Sequence, residues 1–457
     1  MPFKFQCVYC SQKLSAEGNE IGSDAVCPSC NKSIIVPPPG ASPYMTESIK
    51  AGLGENDEFV AKGTGMSCPT CWMKFGAGDL MQISVHESLR GDPILGNNHM
   101  LRFFPKEYSS NGRPLDPKGV PVFETACPFC RRQLPKKFGA IPQHIISVVG
   151  DQGSGKSYYL STLTGQLGDV LYSHFKLRLR DADPSGNAVL NEMQNSILSA
   201  TKPEDAILAK TKLEGDMYVK VKRHGRSMAY PRPFTYNVEN VVSKQDICSL
   251  VLYDNAGEHY QPGVNIAESP GALHVAYSDL IIFLFDPLNS IQFGKALQKK
   301  APELERKKIV DKHLTILSEM ENRISTIENT YRDKNGEKMF AFVLNKFDAW
   351  EQLLGEEPFL DPIKDGKINL DVLNQNYDSL KGLLMSICPS IVAAAESISK
   401  HCKFFAACPL GHSPVKTLSG LYAPDPSKIN PKFVEQPLVW FLNAKYNLYN
   451  NELCQIK

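Results

Sequence analysis

Lys156 and Ser157 close the octet Gly150-Asp151-Gln152-Gly153-Ser154-Gly155-Lys156-Ser157, whose residue types and spacing suit a phosphate-binding loop. The glycines let backbone N–H groups curl around an anion, Lys156 would reach the β and γ phosphates, and the Ser157 hydroxyl would ligate Mg2+. A plain Gly-rich turn needs neither Lys nor Ser at these offsets. Asn345-Lys346-Phe347-Asp348 has the chemistry to read a base. A carboxylate only accepts hydrogen bonds, so Asp348 can take both the N1–H and the exocyclic amine of guanine; adenine offers an acceptor at N1 and no amine beside it. A third stretch, Asp254-Asn255-Ala256-Gly257-Glu258, could serve the γ-phosphate end. There Asp254 would hold Mg2+ through water, and the Gly257 N–H would touch the γ-phosphate and move when it leaves. Each stretch alone could be an ordinary polar turn. Their order along one chain argues for a shared site.

Three apolar runs must position these residues. Ile145–Val149 leads into the octet, Ile247–Tyr253 into Asp254, and Met339–Leu344 into Asn345, so each motif follows a strand. Tyr158 to Leu167 continues the octet as a helix whose N-terminus faces the phosphates. Strands are expected near 145–150, 216–223, 247–253, 280–286, 339–345 and 403–408, with helices between most of them, which predicts an α/β, three-layer domain. The interval from Asp254 to Asn345 leaves room for a helical insertion near 290–332, where Leu304, Ile309, Leu314, Ile316, Leu317, Met320, Ile324 and Ile327 recur near helical spacing. Packing of that insertion on the core is the plainer reading; a partner-binding hairpin is the sharper one.

With these motifs in order, residues 141 to 446 resemble the translation-factor-related and Ras-like P-loop GTPases, which carry GxxxxGK[ST], DxxG and NKxD in sequence. The resemblance implies GTP and Mg2+ as ligands and hydrolysis of GTP to GDP by a nucleotide-controlled switch, with Lys156 catalytic. In that family a short Ser-Ala-x loop backs the guanine; here Cys408 and Pro409 stand at that place, after Phe404-Phe405-Ala406-Ala407. The residue after the DxxG glycine is usually a water-positioning Gln, and here it is Glu258, a catalytic candidate whose charge would slow turnover or call for a partner's arginine. The switch threonine has no clear match; Thr201 and Thr211 are candidates. Together with the cysteine knuckles, the pattern also looks like bacterial GTPases of the double-GTPase type, found in conflict or signalling systems.

Eight of thirteen cysteines form four Cys-x-x-Cys pairs: Cys7/Cys10, Cys27/Cys30, Cys68/Cys71 and Cys127/Cys130. Two thiolates three residues apart grip one Zn2+ from a tight turn, so two knuckles close a structural tetrahedral site. The first four cysteines have zinc-ribbon spacing; the second four enclose a longer loop. Disulfides would need an oxidising compartment, and Met1-Pro2-Phe3-Lys4-Phe5 lacks a secretory apolar core. The organisation expected is a zinc ribbon over 1–37, a flexible Pro/Gly/Ser-rich linker over 38–65 that leaves the ribbon mobile, a second zinc-ribbon-like module over 66–139, and a P-loop GTPase domain over 140–457.

The 457 residues are 42% hydrophobic and 22% charged, enough for one large core and two small modules. With 50 basic against 49 acidic side chains there is no basic field of the kind phosphate backbones require. A protein partner is therefore favoured over RNA or the ribosome for the ribbons, and a P-loop ATPase is the other alternative. No apolar run reaches membrane-spanning length, since Leu280–Phe285 is bounded by Asp279 and Asp286, and a cytoplasmic location is expected.

Overall fold

The computed structural model describes residues 2–37, 39, 41, 66–208, 217–223, 226–254, 260, 274–300, 311–331, 338–355, 359–364, 367–417 and 420–448. The chain divides into two compact units. One comprises Met1–Ala140, Tyr218–Tyr230 and Asn329–Asp333; the other comprises Ile141–Met217, Pro231–Glu328 and Lys334–Lys457.

The second unit is a mixed α/β fold built on a seven-stranded sheet. Its strands are β1 (Gln143–Gly150), β2 (Leu177–Asp181), β3 (Pro233–Asn240), β4 (Asp246–Asp254), β5 (Leu280–Phe285), β6 (Met339–Leu344) and β7 (His401–Ala406). They lie in the order β2-β3-β4-β1-β5-β6-β7. The β4, β1, β5, β6 and β7 strands run parallel, and β3 pairs antiparallel with both β2 and β4. Every residue of β5 (LIIFLF) and β6 (MFAFVL) is buried, which is why these strands read as unbroken apolar runs rather than alternating ones. Register aligns the carboxyl ends: Val148 faces Asp254, Gly150 faces Leu284, and Leu344 faces both Phe285 and Ala406. The motif-bearing residues thus leave the sheet at one edge.

Helix α1 (Lys156–Phe175) follows β1 and buries Leu160, Leu163, Leu167, Leu171 and Phe175 at three- and four-residue spacing. Then come α2 (Ala188–Ser199), α3 (Ile291–Lys300), α4 (His313–Tyr331), α5 (Leu370–Ile387), α6 (Pro389–Ile398) and α7 (Gln436–Tyr446). Asn369 caps α5 by accepting from the N–H groups of Asp371 and Val372, and Pro389 opens α6 at its first turn, where a missing N–H does no harm. Phe293 and Leu297 of α3 and Ile316, Leu317, Met320 and Ile324 of α4 join the core around Phe283, Phe342 and Trp350. Of the periodic series, Ile316, Leu317, Met320 and Ile324 pack on the core while Leu314 is exposed; Leu304, Ile309 and the Ile327 side chain lie outside what the structure describes.

One expectation about the strands, that near 216–223, needs correction. Tyr218–Arg223 is extended but pairs with Arg226–Pro231 in a separate hairpin, outside the large sheet. The sheet's places are taken by β2 and β3 instead. In β3 the polar Thr235 is buried, its backbone bonded to the Asn187 side chain in both directions (2.8 and 2.9 Å), so an unpromising sequence is satisfied as a strand.

The first unit contains the cysteines. Short hairpins, Pro2–Gln6 with Lys13–Glu17 and Asp24–Val26 with Ser33–Ile35, carry the first two knuckles. The first ribbon was expected to hang on a mobile linker, yet it packs on the second: a Cβ on Gly22 would lie 3.0 Å from the Pro128 carbonyl oxygen, and Arg131 donates to the Ile21 carbonyl. Arg131 is 1% exposed and pairs with Asp92 at 3.1 Å, so this contact is anchored by a buried ion pair. Most of the linker itself lies outside the described residues. The hairpin 218–231 adds to this unit through an edge-to-face contact of Trp72 with Tyr230 (5.1 Å).

Candidate nucleotide site and candidate metal centres

Gly150 ends β1 where no side chain fits: a Cβ there would meet the Leu284 carbonyl oxygen at 2.6 Å and Ser154 Oγ at 2.8 Å. Gly153 (φ +79°) and Gly155 (φ +89°) take left-handed backbone, and a Cβ on Gly155 would meet Asn345 Nδ2 at 2.9 Å. Space thus favours glycine at 150 and 155, and at 153 the left-handed backbone does, since a Cβ there would meet nothing. The loop wraps Lys156, whose Nζ donates to the carbonyls of Gly150 (2.7 Å) and Asp151 (2.8 Å). Asp151 accepts from the Gln152 N–H at 2.7 Å. Ser157 lies in the first turn of α1.

The second motif is stitched to the first. Asn345, 1% exposed, donates from Nδ2 to the Ser154 carbonyl (2.7 Å), and its own carbonyl accepts from Trp350 Nε1 (2.8 Å). Lys346 adopts left-handed backbone (φ 58°) and its Nζ reaches Asp286 Oδ2 at 2.6 Å and the Gly153 carbonyl at 3.4 Å. Asp348 accepts from Cys408 Sγ (2.9 Å) on one oxygen and from Ser413 Oγ (2.6 Å) on the other. Burial first, and then the adjacent Asp348 carboxylate, push the Cys408 thiol up to about 12, so Cys408 stays a protonated donor. Backbone bonds between Phe347 and Ala407 (3.0 Å) and between Ala407 and Leu344 (3.0 Å) bring the Cys408-Pro409 loop beside Asp348.

Asp254 ends β4, 2% exposed. Gly257 and Glu258 lie outside the described residues, as does Thr211; Thr201 is exposed. The structure thus brings Gly150, Asp151, Gln152, Gly153, Ser154, Gly155, Lys156, Ser157, Asp254, Asn345, Lys346, Asp348, Cys408 and Pro409 to one sheet edge. Sequence reasoning missed Asp286 and Ser413. Asp286 had a signal, an acid directly behind the apolar strand β5 at the same edge; Ser413, five residues beyond Cys408, had none.

The cradle suits a phosphate on its own geometry. Ser154 Oγ and Asn345 Oδ1 are buried without a hydrogen-bond partner, while the three glycines keep Cβ atoms out of the loop.

Each set of four cysteines converges. Cys7–Cys30 and Cys10–Cys27 sulfurs lie 3.7 Å apart, as do those of Cys71–Cys127, with Cys68–Cys130 at 3.8 Å. Within each set all four sulfurs fall within 4.8 Å of one another. A tetrahedral Zn–S bond of about 2.3 Å requires sulfur spacings of about 3.8 Å, whereas a disulfide would bring two sulfurs to about 2 Å. All four knuckles share one backbone device: the residue after the second cysteine, Ser11, Asn31, Trp72 or Arg131, is left-handed (φ 56° to 61°), and its N–H donates to the carbonyl of the first cysteine. The eight thiols fit two zinc ions. Burial pushes Cys68 and Cys127 well above the ordinary thiol range, so loading must displace protons there.

No family model and no curated protein matches the chain. Among solved structures it is similar to the S. cerevisiae Ski7 GTPase-like domain bound to GTP, at 16% identity and a TM-score of 0.26, covering 69% of this chain and 51% of that one. The same domain bound to GDP and inorganic phosphate gives 15% identity and a TM-score of 0.27 over the same shares. Sup35 complexed with GMPPNP gives 10% and 0.21, covering 60% of this chain and 39% of that one. The chain spans about half or less of the length of these structures. No helix among the described residues is long and apolar enough to cross a membrane.

Proposed function

We propose that the chain binds GTP with Mg2+ and hydrolyses it to GDP as a nucleotide-controlled switch. The observation that carries this reading is the Asn345–Ser154 hydrogen bond (2.7 Å), which ties a base-reading motif to a phosphate cradle at a single sheet edge. Residues 140–457 are read as a three-layer P-loop GTPase domain, 1–37 and 66–139 as zinc ribbons, and 38–65 as the linker.

In this mechanism the N–H groups of Gly153 to Ser157 and the Lys156 ammonium hold the β and γ phosphates. Lys156 exchanges its carbonyl partners Gly150 and Asp151 for phosphate oxygens, so it is already aimed and loses little freedom on binding. Ser157 and Asp254 would hold Mg2+, which supplies charge neutralisation on the phosphates. Asp348 takes the guanine N1–H and amine, steadied by Cys408 and Ser413, with Cys408 and Pro409 behind the base. Water attacks the γ-phosphorus as its bond to the β–γ bridging oxygen breaks, leaving GDP and inorganic phosphate. Glu258 is the candidate to orient that water, and Gly257 the γ-phosphate contact that releases afterwards. The ribbons are proposed to engage a protein partner, in the manner of a bacterial conflict or signalling GTPase. The near-equal charge balance disfavours nucleic acid.

Phosphate release from GTP by the zinc-loaded chain tests the reading. Turnover that requires Mg2+ and disappears in Lys156→Ala is expected; full turnover in that variant would refute the cradle.

A further inference from the structure

Asp286 is not part of any of the three motifs, yet its carboxylate is 1% exposed and 2.6 Å from Lys346 Nζ. A buried carboxylate is tolerated when it is paired and hydrogen-bonded, and Asp286 is both: Oδ1 accepts from the Leu288 N–H (3.1 Å) while Oδ2 takes the ammonium. Its backbone is fixed as well. The Asp286 N–H points at His313 Nε2 (3.4 Å), and the fully buried His313 holds Asp311 through Nδ1 (2.9 Å). Asp311 in turn accepts from the Ile291 N–H (3.1 Å), so both insertion helices, α3 and α4, begin on groups that anchor Asp286.

Lys346 thereby emerges from a left-handed backbone with its ammonium already placed, between Asp286 and the Gly153 carbonyl of the phosphate loop. A lysine has about four rotatable bonds to freeze on meeting a ligand. Here the ion pair has frozen them beforehand. We propose that Asp286 is a positioning residue of the nucleotide site, one that preorganises Lys346 against the nucleoside. The inference rests on the guanine-nucleotide reading above.

The test measures dissociation of a fluorescent guanine nucleotide from the full, zinc-loaded chain, in wild type, Asp286→Asn, Lys346→Ala and the double variant. Asp286→Ser, which also keeps a short acceptor for the Leu288 N–H, is a second probe should Asp286→Asn fail to fold, and melting temperatures establish which variants are folded. Dissociation about tenfold faster in Asp286→Asn is expected, with no further acceleration in the double variant over Lys346→Ala, and guanine-over-adenine selection unchanged because Asp348 is intact. If wild type holds guanine nucleotide but the folded Asp286 variants release it within about twofold of the wild-type rate, the positioning role is overturned while the guanine reading stands. If wild type binds no guanine nucleotide, that reading falls and takes this inference with it.

Discussion

Lys346 is paired with a buried acid at 2.6 Å, which makes its removal consequential for the fold itself. A lysine that merely touched nucleotide would be replaceable at no cost to the fold. In Lys346→Ala the Asp286 carboxylate, 1% exposed, is left without its cation. Because Lys346 is one-third exposed, solvent offsets part of the loss. Lys346→Ala should therefore lower unfolding free energy by about 1–3 kcal/mol in nucleotide-free denaturant titrations; unchanged stability would mean that the ion pair is not formed in solution. At this scale residue type and offset were enough to single out Lys156, Asn345 and Asp348, which the fold brings to one sheet edge. Ser413 was not legible, and Asp286 only as an acid directly behind an apolar run, because their contacts depend on which loops meet at the sheet edge. Spacing along the chain carries no information about that.

The elements show the same division. The β5 and β6 strands were readable because all their residues are buried and apolar. The segment 218–223 was recognised as extended, but strand character does not specify a partner, and its partner is 226–231. The Gly150–Ser157 loop depends on its glycines sterically, so Gly155→Ala sets a Cβ 2.9 Å from Asn345 Nδ2 at a backbone angle that alanine resists. That variant should lose nucleotide binding by at least about tenfold at near-native zinc content, measured by nucleotide titration and metal analysis. The last helix offers a pH handle. Burial pushes Glu435, at the start of α7, up to about 7 from an ordinary 4.5, with Asp361 adding repulsion against the opposing effect of its own backbone. The folded state then binds more protons than the unfolded state between those pH values, so stability falls as pH rises from about 4.5 to about 7 and stays reduced above. Glu435→Gln removes this penalty and should be more stable than wild type at pH 8 by about 1–3 kcal/mol, the difference vanishing near pH 4. Equal stability of the two at both pH values would contradict the buried, protonated state.

For the whole molecule, the cysteine arithmetic was the most legible feature of the chain, while the packing of one ribbon upon the other was not. That packing hangs on Gly22, Arg131 and Asp92, none of which a knuckle pattern singles out. Metal analysis should find about two zinc ions per chain. Cys7→Ser should lower the content to about one, and a chain that stays metal-free and fully folded would reject both centres. The claim on which the account turns is that Asp348 reads guanine beside the Lys156 cradle. Its most direct test is competition between GTP, ATP and XTP for wild type and Asp348→Asn. An amide in place of the carboxylate offers one acceptor for N1–H and one donor for the 2-carbonyl of xanthine. Wild type should prefer GTP over ATP by at least about 100-fold, and Asp348→Asn should exchange GTP for XTP. Equal binding of GTP and ATP, with Asp348→Asn indifferent among all three, would contradict it.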